Sequence, residues 1–379
     1  MKKKVIIIGG GIAGLSSAIT FSKSNLDVTL IDKETHFLNQ LKLYKAFYFP
    51  LKQLKLNFLE LASKFHFKFI QKEVLFDQKV LSEWVKEKKL SYDNLKIDFD
   101  YLIISTGAGS INIISPSNPS SSNNLYTLEE LKEVEPQTLI KNLMDKLSFG
   151  QKAVYFIGGG ATGVQSALEL ADYFFLKKQH IKINLVDREP RLLGSQPERI
   201  SEYVLNKFID KKISYYPYTS FISKNGNDLI LKNLETGKQM KRESDLTFLF
   251  PGVRPTPFSI SANSYGQVYY GTPDVYSNVF AAGDCVSFSG KGLNSLSAQA
   301  AVRKGRLVAR NIISHSKGRR MSEYSYKELG YFLSTGFYDA IGWTFMDFNI
   351  VSGPQAFVIK EGIELQMELF LKGVDTYIG

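Results

Sequence analysis

The chain has a single cysteine, Cys285, among 379 residues. An intramolecular disulfide and a C-x-x-C redox pair are therefore excluded. Any redox chemistry must lie in a cofactor, and the lone thiol, for which a structural role is expected, says nothing of compartment. Long apolar runs are also missing. No stretch of about 18 uncharged apolar residues occurs, so no membrane-spanning helix is expected. Tryptophan is scarce, with two residues, which leaves little for an interfacial aromatic belt. No zinc-finger or RNP-type segment is present, so nucleic acid is not an expected partner, and no metal site is expected. The basic start Lys2-Lys3-Lys4 and the apolar Val5 to Ile8 resemble a signal peptide only superficially. Gly9-Gly10-Gly11 breaks the run at once, and no small-residue cleavage site follows.

Acid is the scarcer charge, 37 Asp and Glu against 47 Lys and Arg, for a net +10. A basic surface suits anions such as dinucleotides or an anionic lipid face. The excess gathers at Lys177-Lys178, at Arg303-Lys304 with Arg306, and from Lys317 to Arg320. These clusters could add attraction to a membrane surface.

What is present is a repeat. Val5 to Ile8 reads as a buried parallel strand, and Gly9-x-Gly11-x-x-Gly14 follows directly. Helical spacing runs from Leu15 to Ser24, then a strand from Val28 to Ile31 is closed by Asp32. The second copy is a strand from Ala153 to Ile157, the turn Gly158-x-Gly160-x-x-Gly163, a helix from Val164 to about Phe174, and a strand from Ile183 to Val186 closed by Asp187. The first glycine permits a tight turn, the second lets backbone approach a pyrophosphate, and the third lets helix and strand pack closely. The pyrophosphate then meets free N–H groups at the helix N-terminus. The acid about 20 positions on accepts from a ribose hydroxyl. Two complete copies predict two dinucleotides. Asp187 favours NADH, since a carboxylate repels a 2′-phosphate; Arg188 beside it leaves NADPH open.

Three fingerprints stand in a fixed order: the first glycine turn, the strand Asp100 to Ile104 ending in Ser105-Thr106-Gly107, and the strand ending in Ala282-Gly283-Asp284. In this the chain resembles the two-dinucleotide-binding-domain flavoproteins. The resemblance implies FAD on the first turn, Asp284 against the flavin's ribityl–phosphate portion, and an α/β fold of two Rossmann-like domains. The NAD domain (113–251) would be inserted between two parts of the FAD domain (1–112 and 252–320). The Ser-, Asn- and Pro-rich stretch Ser115–Asn124 reads as the surface loop between them.

Within that superfamily nearly the whole chain is similar to type II NADH dehydrogenases, the single-subunit NADH:quinone oxidoreductases. The motifs are Gly160-Ala161-Thr162-Gly163-Val164 with Glu169-Leu170-Ala171, Pro251-Gly252-Val253-Arg254-Pro255, and Ser297-Ala298-Gln299-Ala300-Ala301. Leu329-Gly330, Ser334-Thr335-Gly336, Asp339-Ala340, Ser352-Gly353 and Glu361 to Leu365 continue the match. The resemblance implies supporting catalytic roles for Gln299 near the flavin and quinone, and for Gln165 and Glu169 near the nicotinamide. The cofactor-binding set is Gly9, Gly11, Gly14, Asp32, Lys33, Thr106, Gly107, Asp284, Ala298, Gly158, Gly160, Gly163, Asp187 and Gly252. The chain departs from the family at Gln165, where a glutamate is usual, near Val302-Arg303, where the quinone signature loses its second glutamine, and at Gln40 to Tyr44, which lack a proline. A soluble NAD(P)H-dependent reductase with a non-quinone acceptor, or a flavin-binding redox sensor, are the alternatives.

In residues 321–379 both a helical stripe (Ile359, Ile363, Met367, Phe370, Val374) and a strand alternation fit; the resemblance favours a helix. The stripe is expected to face a membrane or a second subunit in a homodimer, with Glu361, Glu364 and Glu368 on another face. A cytoplasmic enzyme, peripheral on the membrane, is the expectation.

Overall fold

The computed structural model describes residues 2–110, 124–145, 151–255 and 259–377. Val5 to Ile8 are all apolar and all buried, as a strand covered on both faces requires. Lys4–Ile8 pairs in parallel with Asp27–Asp32 on one side and Tyr101–Ile104 on the other. Lys68–Gln71 lies outside Asp27–Asp32, and Asp274–Ala281 outside Tyr101–Ile104. Gln267–Gly271, Ile260–Ala262 and Val286–Phe288 complete an eight-stranded sheet. Residues 260–288 thus return to a sheet begun by residues 4–104, so the first Rossmann-like unit is discontinuous.

The second sheet is parallel, in the order Leu125–Thr127, Leu246–Leu249, Ala153–Ile157, Lys182–Val186, Ser214–Tyr216. The two crossings between the units, Ala108–Ser110 and Val253–Pro255, pair with each other as an antiparallel ribbon. Of the expected loop Ser115–Asn124, all but Asn124 lies outside the described residues.

Both glycine-turn helices start earlier than periodicity predicts. They span Ile12–Phe21 and Ala161–Leu176, with Gly11 and Gly160 as N-caps. Apolar spacing marks only the residues that face the core, whereas the helical backbone begins at the turn itself. The Ala298–Ser316 helix lies across Ile12–Phe21, where Ser17 Oγ donates to the Gly305 carbonyl at 2.9 Å. A Cβ at Gly305 would collide with the Ala13 carbonyl. The direction of this long helix follows from its far end: His315 Nδ1 lies 3.0 Å from Tyr101 Oη, and Lys3 donates to the Ser316 carbonyl. Both partners sit where strands begin. The helix therefore starts at the opposite edge of the sheet, the carboxyl ends of the strands, where dinucleotides bind.

The C-terminal residues form an antiparallel sheet, Gly330–Gly336, Asp339–Thr344 and Ile350–Gly353, followed by the helix Pro354–Leu371. The sheet belongs to the second unit: Leu333 and Ile341 enter its core, Asp172 accepts from Phe337 N–H at 3.0 Å, and Asp339 pairs with Lys207 at 2.9 Å. The helix belongs to the first, through Met367, Phe370 and Leu371.

The tail is a helix, but its faces are not the expected ones. Ala356, Lys360, Glu364, Met367 and Leu371 are buried, Ile359 is exposed, and Val374 lies beyond the helix in solvent. The glutamate face turns inward because the 3-10 segment Gln40–Phe47 offers it cations. Lys45 reaches Glu361 at 3.2 Å and Glu364 at 3.5 Å, Lys42 pairs with Glu364 and Glu368, and Lys360 pairs with Glu364. Two of the clustered basic residues also lie inside. Lys304 and Arg306 are buried, Arg306 against Asp375 at 2.6 Å and between the rings of Phe370 and Tyr377. They are therefore not surface charges that a membrane could attract.

Burial alone would raise the Glu364 carboxyl, but Lys360, Lys45 and Lys42 hold it below its ordinary range. A depressed carboxylate contributes stability above its unfolded pKa and loses it as pH falls through the folded value. The tail should thus be held at neutral pH and loosen in acid. Glu364→Ala leaves the buried Lys360 ammonium only Tyr44 and the more distant Glu361, at 3.5 Å, and should cost about 1–3 kcal/mol at neutral pH. Denaturant unfolding of both proteins at neutral and acidic pH checks this, and the gap should narrow on acidification.

Candidate functional site

Each glycine turn follows a central strand, Lys4–Ile8 or Ala153–Ile157, and packs against the end of a neighbouring one. A Cβ at Gly9 would strike the Ser105 carbonyl, and one at Gly158 the Phe250 carbonyl. Both residues have positive φ, +100° and +120°. At the third position, a Cβ on Gly14 or Gly163 would overlap the carbonyl of Gly9 or Gly158. The second position is different: a Cβ on Gly11 or Gly160 would meet nothing within 4 Å. Open space in front of a helix N-terminus, walled by bare backbone, fits a pyrophosphate.

The acids close the turns from behind. Asp32 accepts from Gly10 N–H and, at 2.8 Å, from Glu34 N–H. Asp187 does the same with Gly159 and Glu189. Burial pushes the Asp187 carboxyl up, and the backbone N–H groups of Glu189, Gly159 and Arg188 oppose the shift. Sequence spacing had marked these acids for a ribose; their hold on the middle glycine of each turn becomes visible only in three dimensions. Lys33 and Arg188 are exposed.

Around the first turn, Thr106 and Gly107 follow the neighbouring strand, and Gly107 adopts φ +73°. Asp284 follows the next strand, and Gly283 (φ +87°) would place a Cβ 2.9 Å from Ala13. Asp284 is thereby drawn to the first turn of the Ile12–Phe21 helix. Cys285 is fully buried, with Sγ 3.4 Å from the Ala282 carbonyl, and burial pushes its thiol up. It is an inert part of the core. Ala298 and Gln299 open the long helix at the same edge of the sheet, and Gln299 Oε1 accepts from Tyr326 Oη at 3.4 Å. Gly252 lies in the return crossing at φ +94°.

Gln165 and Glu169 lie one turn apart on the Ala161–Leu176 helix and meet a common partner. Gln165 Oε1 accepts from Ser334 N–H at 2.8 Å, and Glu169 accepts from the Ser334 hydroxyl and from Tyr48 Oη, the latter at 2.8 Å. Burial pushes the Glu169 carboxyl up, against those hydrogen bonds and the charges of Lys360 and Lys45. Beside this cluster Lys360 donates to Tyr44 Oη at 2.5 Å, and Tyr44 Oη donates to Glu364 at 3.1 Å. Sequence reasoning missed Tyr44, Tyr48 and Lys360. Tyrosine and lysine at those spacings carry no signature, and only the packing of the 3-10 segment against two helices joins them.

A family model for pyridine nucleotide-disulphide oxidoreductases matches residues 3–305. The chain belongs to that family. It is accordingly an FAD-dependent oxidoreductase working with FAD and a nicotinamide dinucleotide, and the two turns fit that pair of cofactors. Among curated proteins it is 23% identical over 400 residues to a type II NADH:quinone oxidoreductase of Staphylococcus aureus, covering 98% of this chain and 97% of that one. A Staphylococcus saprophyticus protein of the same name is also 23% identical. Among solved structures, NDH2 from Plasmodium falciparum in complex with NADH superposes with a TM-score of 0.79 at 15% identity, covering 99% of this chain and 96% of that one. The sulfide:quinone oxidoreductase of Aquifex aeolicus gives 0.75 at 17% identity, over 98% and 92%. At these identities the structural likeness speaks for the fold.

Because a Cβ at Gly11 or Gly160 meets no atom of the described residues within 4 Å, bulky residues there should fold and block a ligand. Gly160→Trp should keep bound flavin and a thermal midpoint close to wild type, yet lose at least 100-fold in nicotinamide dinucleotide affinity, a cost of about 2.7 kcal/mol or more. Gly11→Trp should purify colourless. Flavin absorbance and dinucleotide titration check both.

Proposed function

We propose that the chain is an FAD-dependent NADH:quinone oxidoreductase, with FAD on the Gly9–Gly14 turn and NADH on the Gly158–Gly163 turn. The observation that carries this reading is the lone, buried Cys285. No thiol pair can relay electrons, so an acceptor has to meet the flavin directly. The names borne by the staphylococcal relatives point to a quinone.

FAD, when bound, supplies the two-electron chemistry: it takes hydride from the nicotinamide and gives electrons to the acceptor. The protein's part is to hold and align. The N–H groups beyond Gly11 and Gly160 take the two pyrophosphates, and Asp32 and Asp187 take a ribose each. Asp187 meets a ribose 2′-hydroxyl better than a 2′-phosphate, which favours NADH over NADPH. Asp284, with Thr106 and Gly107, lines the flavin side. Gln299, on the first turn of the long helix, would meet the flavin and the quinone. Gln165 and Glu169, joined by Ser334, back the nicotinamide. Glu169, raised by burial, can hold a proton there that Gln165 cannot.

Anaerobic mixing with NADH should bleach the flavin, and a short-chain quinone should restore its colour within the turnover time. Bleaching that quinone does not reverse would reject the quinone reading while leaving the NADH site intact. Absence of bleaching would reject both.

The described residues contain no helix long and apolar enough to cross a membrane. Access to a lipid-soluble quinone would instead come from the surface. The turn after Asp339–Thr344 exposes Phe345, Met346 and Phe348 at 77%, 57% and 68%, with Leu329 beside it. Large apolar side chains at a turn tip suit insertion among lipid headgroups. Phe345→Ser with Phe348→Ser should reduce liposome co-sedimentation by tenfold or more and leave turnover of a water-soluble quinone unchanged.

A further inference from the structure

We infer that Trp343 is a positioning residue for the dinucleotide pyrophosphate: its indole N–H holds the loop that orients the peptide opening the Ala161–Leu176 helix. The inference rests on the reading above that NADH lies on the Gly158–Gly163 turn. Gly159 is held at both ends. Asp187 accepts from its N–H, and its carbonyl accepts from Leu193 N–H at 3.0 Å. The Gly159 carbonyl and the Gly160 N–H belong to one trans peptide, so the two point opposite ways. A carbonyl turned to Leu193 therefore turns the Gly160 N–H away from the loop. Gly160 is the N-cap of the helix, and its N–H is one that no carbonyl of the helix takes.

Leu193 does not keep this position by its own preference. Its φ of +53° lies in the left-handed region that favours glycine, and a leucine stays there only where its surroundings over-determine it. Its side chain is buried in the core of the second unit, and its carbonyl accepts from Gln196 N–H at 2.8 Å. Arg191 closes the loop on itself, donating to the Gly194 and Gln196 carbonyls at 2.7 Å and 3.0 Å and to the Ser201 hydroxyl at 2.7 Å. Gln196 is also held from outside the loop: its Oε1 accepts from Trp343 Nε1 at 3.2 Å. Trp343 lies in Asp339–Thr344, the middle strand of the C-terminal sheet, paired with Tyr331 on one side and Ile350 on the other. Its backbone is thus fixed from both sides, and an indole N–H, a donor only, needs an acceptor such as the Gln196 amide oxygen. The line of bonds from Trp343 through Gln196 and Leu193 ends on the peptide that opens the helix.

Trp343→Phe keeps a ring in place and removes the donor; Gln196→Leu removes the acceptor from the loop side. In titrations of the holoenzyme each should weaken NADH about fivefold, as the loss of one neutral hydrogen bond dictates. ADP-ribose, which carries the pyrophosphate but no nicotinamide, should weaken by the same factor. Flavin bleaching at saturating NADH should slow less than about twofold, so that KM rises while the limiting rate holds. Trp343→Phe with Gln196→Leu should again cost about fivefold and not about twenty-five-fold, because both changes remove one bond. Unchanged affinity in the single variants, effects that multiply in the double variant, or weakened NADH with unchanged ADP-ribose would overturn the inference. Should Trp343→Phe not fold, Gln196→Leu decides alone: loss of both ligands in parallel supports the inference, and unchanged affinity overturns it. ADP-ribose binding that survives Gly160→Trp would instead overturn the dinucleotide placement on which the inference rests.

Discussion

Two backbone approaches set the architecture: Gly14 onto the Gly9 carbonyl and Gly163 onto the Gly158 carbonyl. Each presses a helix N-terminus against the end of a buried strand, at a distance no side chain allows. The strands on either side of the helix, Lys4–Ile8 with Asp27–Asp32 and Ala153–Ile157 with Lys182–Val186, are then fixed relative to it, and the acid at the end of the later strand falls behind the turn. Asp32 and Asp187 hold the middle N–H of each turn, which leaves the outer N–H groups aimed at open space. A chain with this constraint twice can hold two dinucleotides. The ribbon of Ala108–Ser110 with Val253–Pro255 ties the two units where the chain crosses between them.

The C-terminal segment links the units a second time, by a different physics. Its sheet enters the second unit through Leu333 and Ile341, and its helix enters the first through Met367, Phe370 and Leu371. Between these apolar anchors runs a polar strip: Glu169, Ser334 and Tyr48, then Tyr44, Lys360 and Glu364, with Lys42 and Lys45 outside. Buried polar groups are tolerated when each finds a partner, and they specify geometry more than they add stability. Here they fix how the tail lies on the 3-10 segment Gln40–Phe47.

The repeat, both sheets' central strands and the acid that follows each glycine turn were legible in the sequence. They rest on short-range rules: apolar strands, glycine spacing, and one acid per unit. The tail was legible as a helix but not in its orientation. Hydrophobic periodicity assumes that the buried face is the apolar one, and that fails where Lys42 and Lys45 wait for Glu361, Glu364 and Glu368. The same assumption misplaced Lys304 and Arg306. Both read as surface charge, and both are inside, because carbonyls, rings and Asp375 surround them. Long-range partners of charged residues leave no periodic trace.

Gln165 shows how a local departure can be absorbed. Its amide oxygen takes the Ser334 N–H, a bond that a carboxylate could equally make, so the helix–sheet contact survives without a charge there. One turn further along, Glu169 makes the companion bond to the Ser334 hydroxyl and lies deeper. This carboxyl is raised by burial, against its bonds to Ser334 and Tyr48 and the charges of Lys360 and Lys45. With Gln165 uncharged, the ionisable group on this face of the helix is Glu169, a turn further in and at the contact that joins both units to the tail. Charge changes at Glu169 would then be felt by Tyr48 and Ser334, on the 3-10 segment and the C-terminal sheet, as well as by any nicotinamide on the Ala161–Leu176 helix.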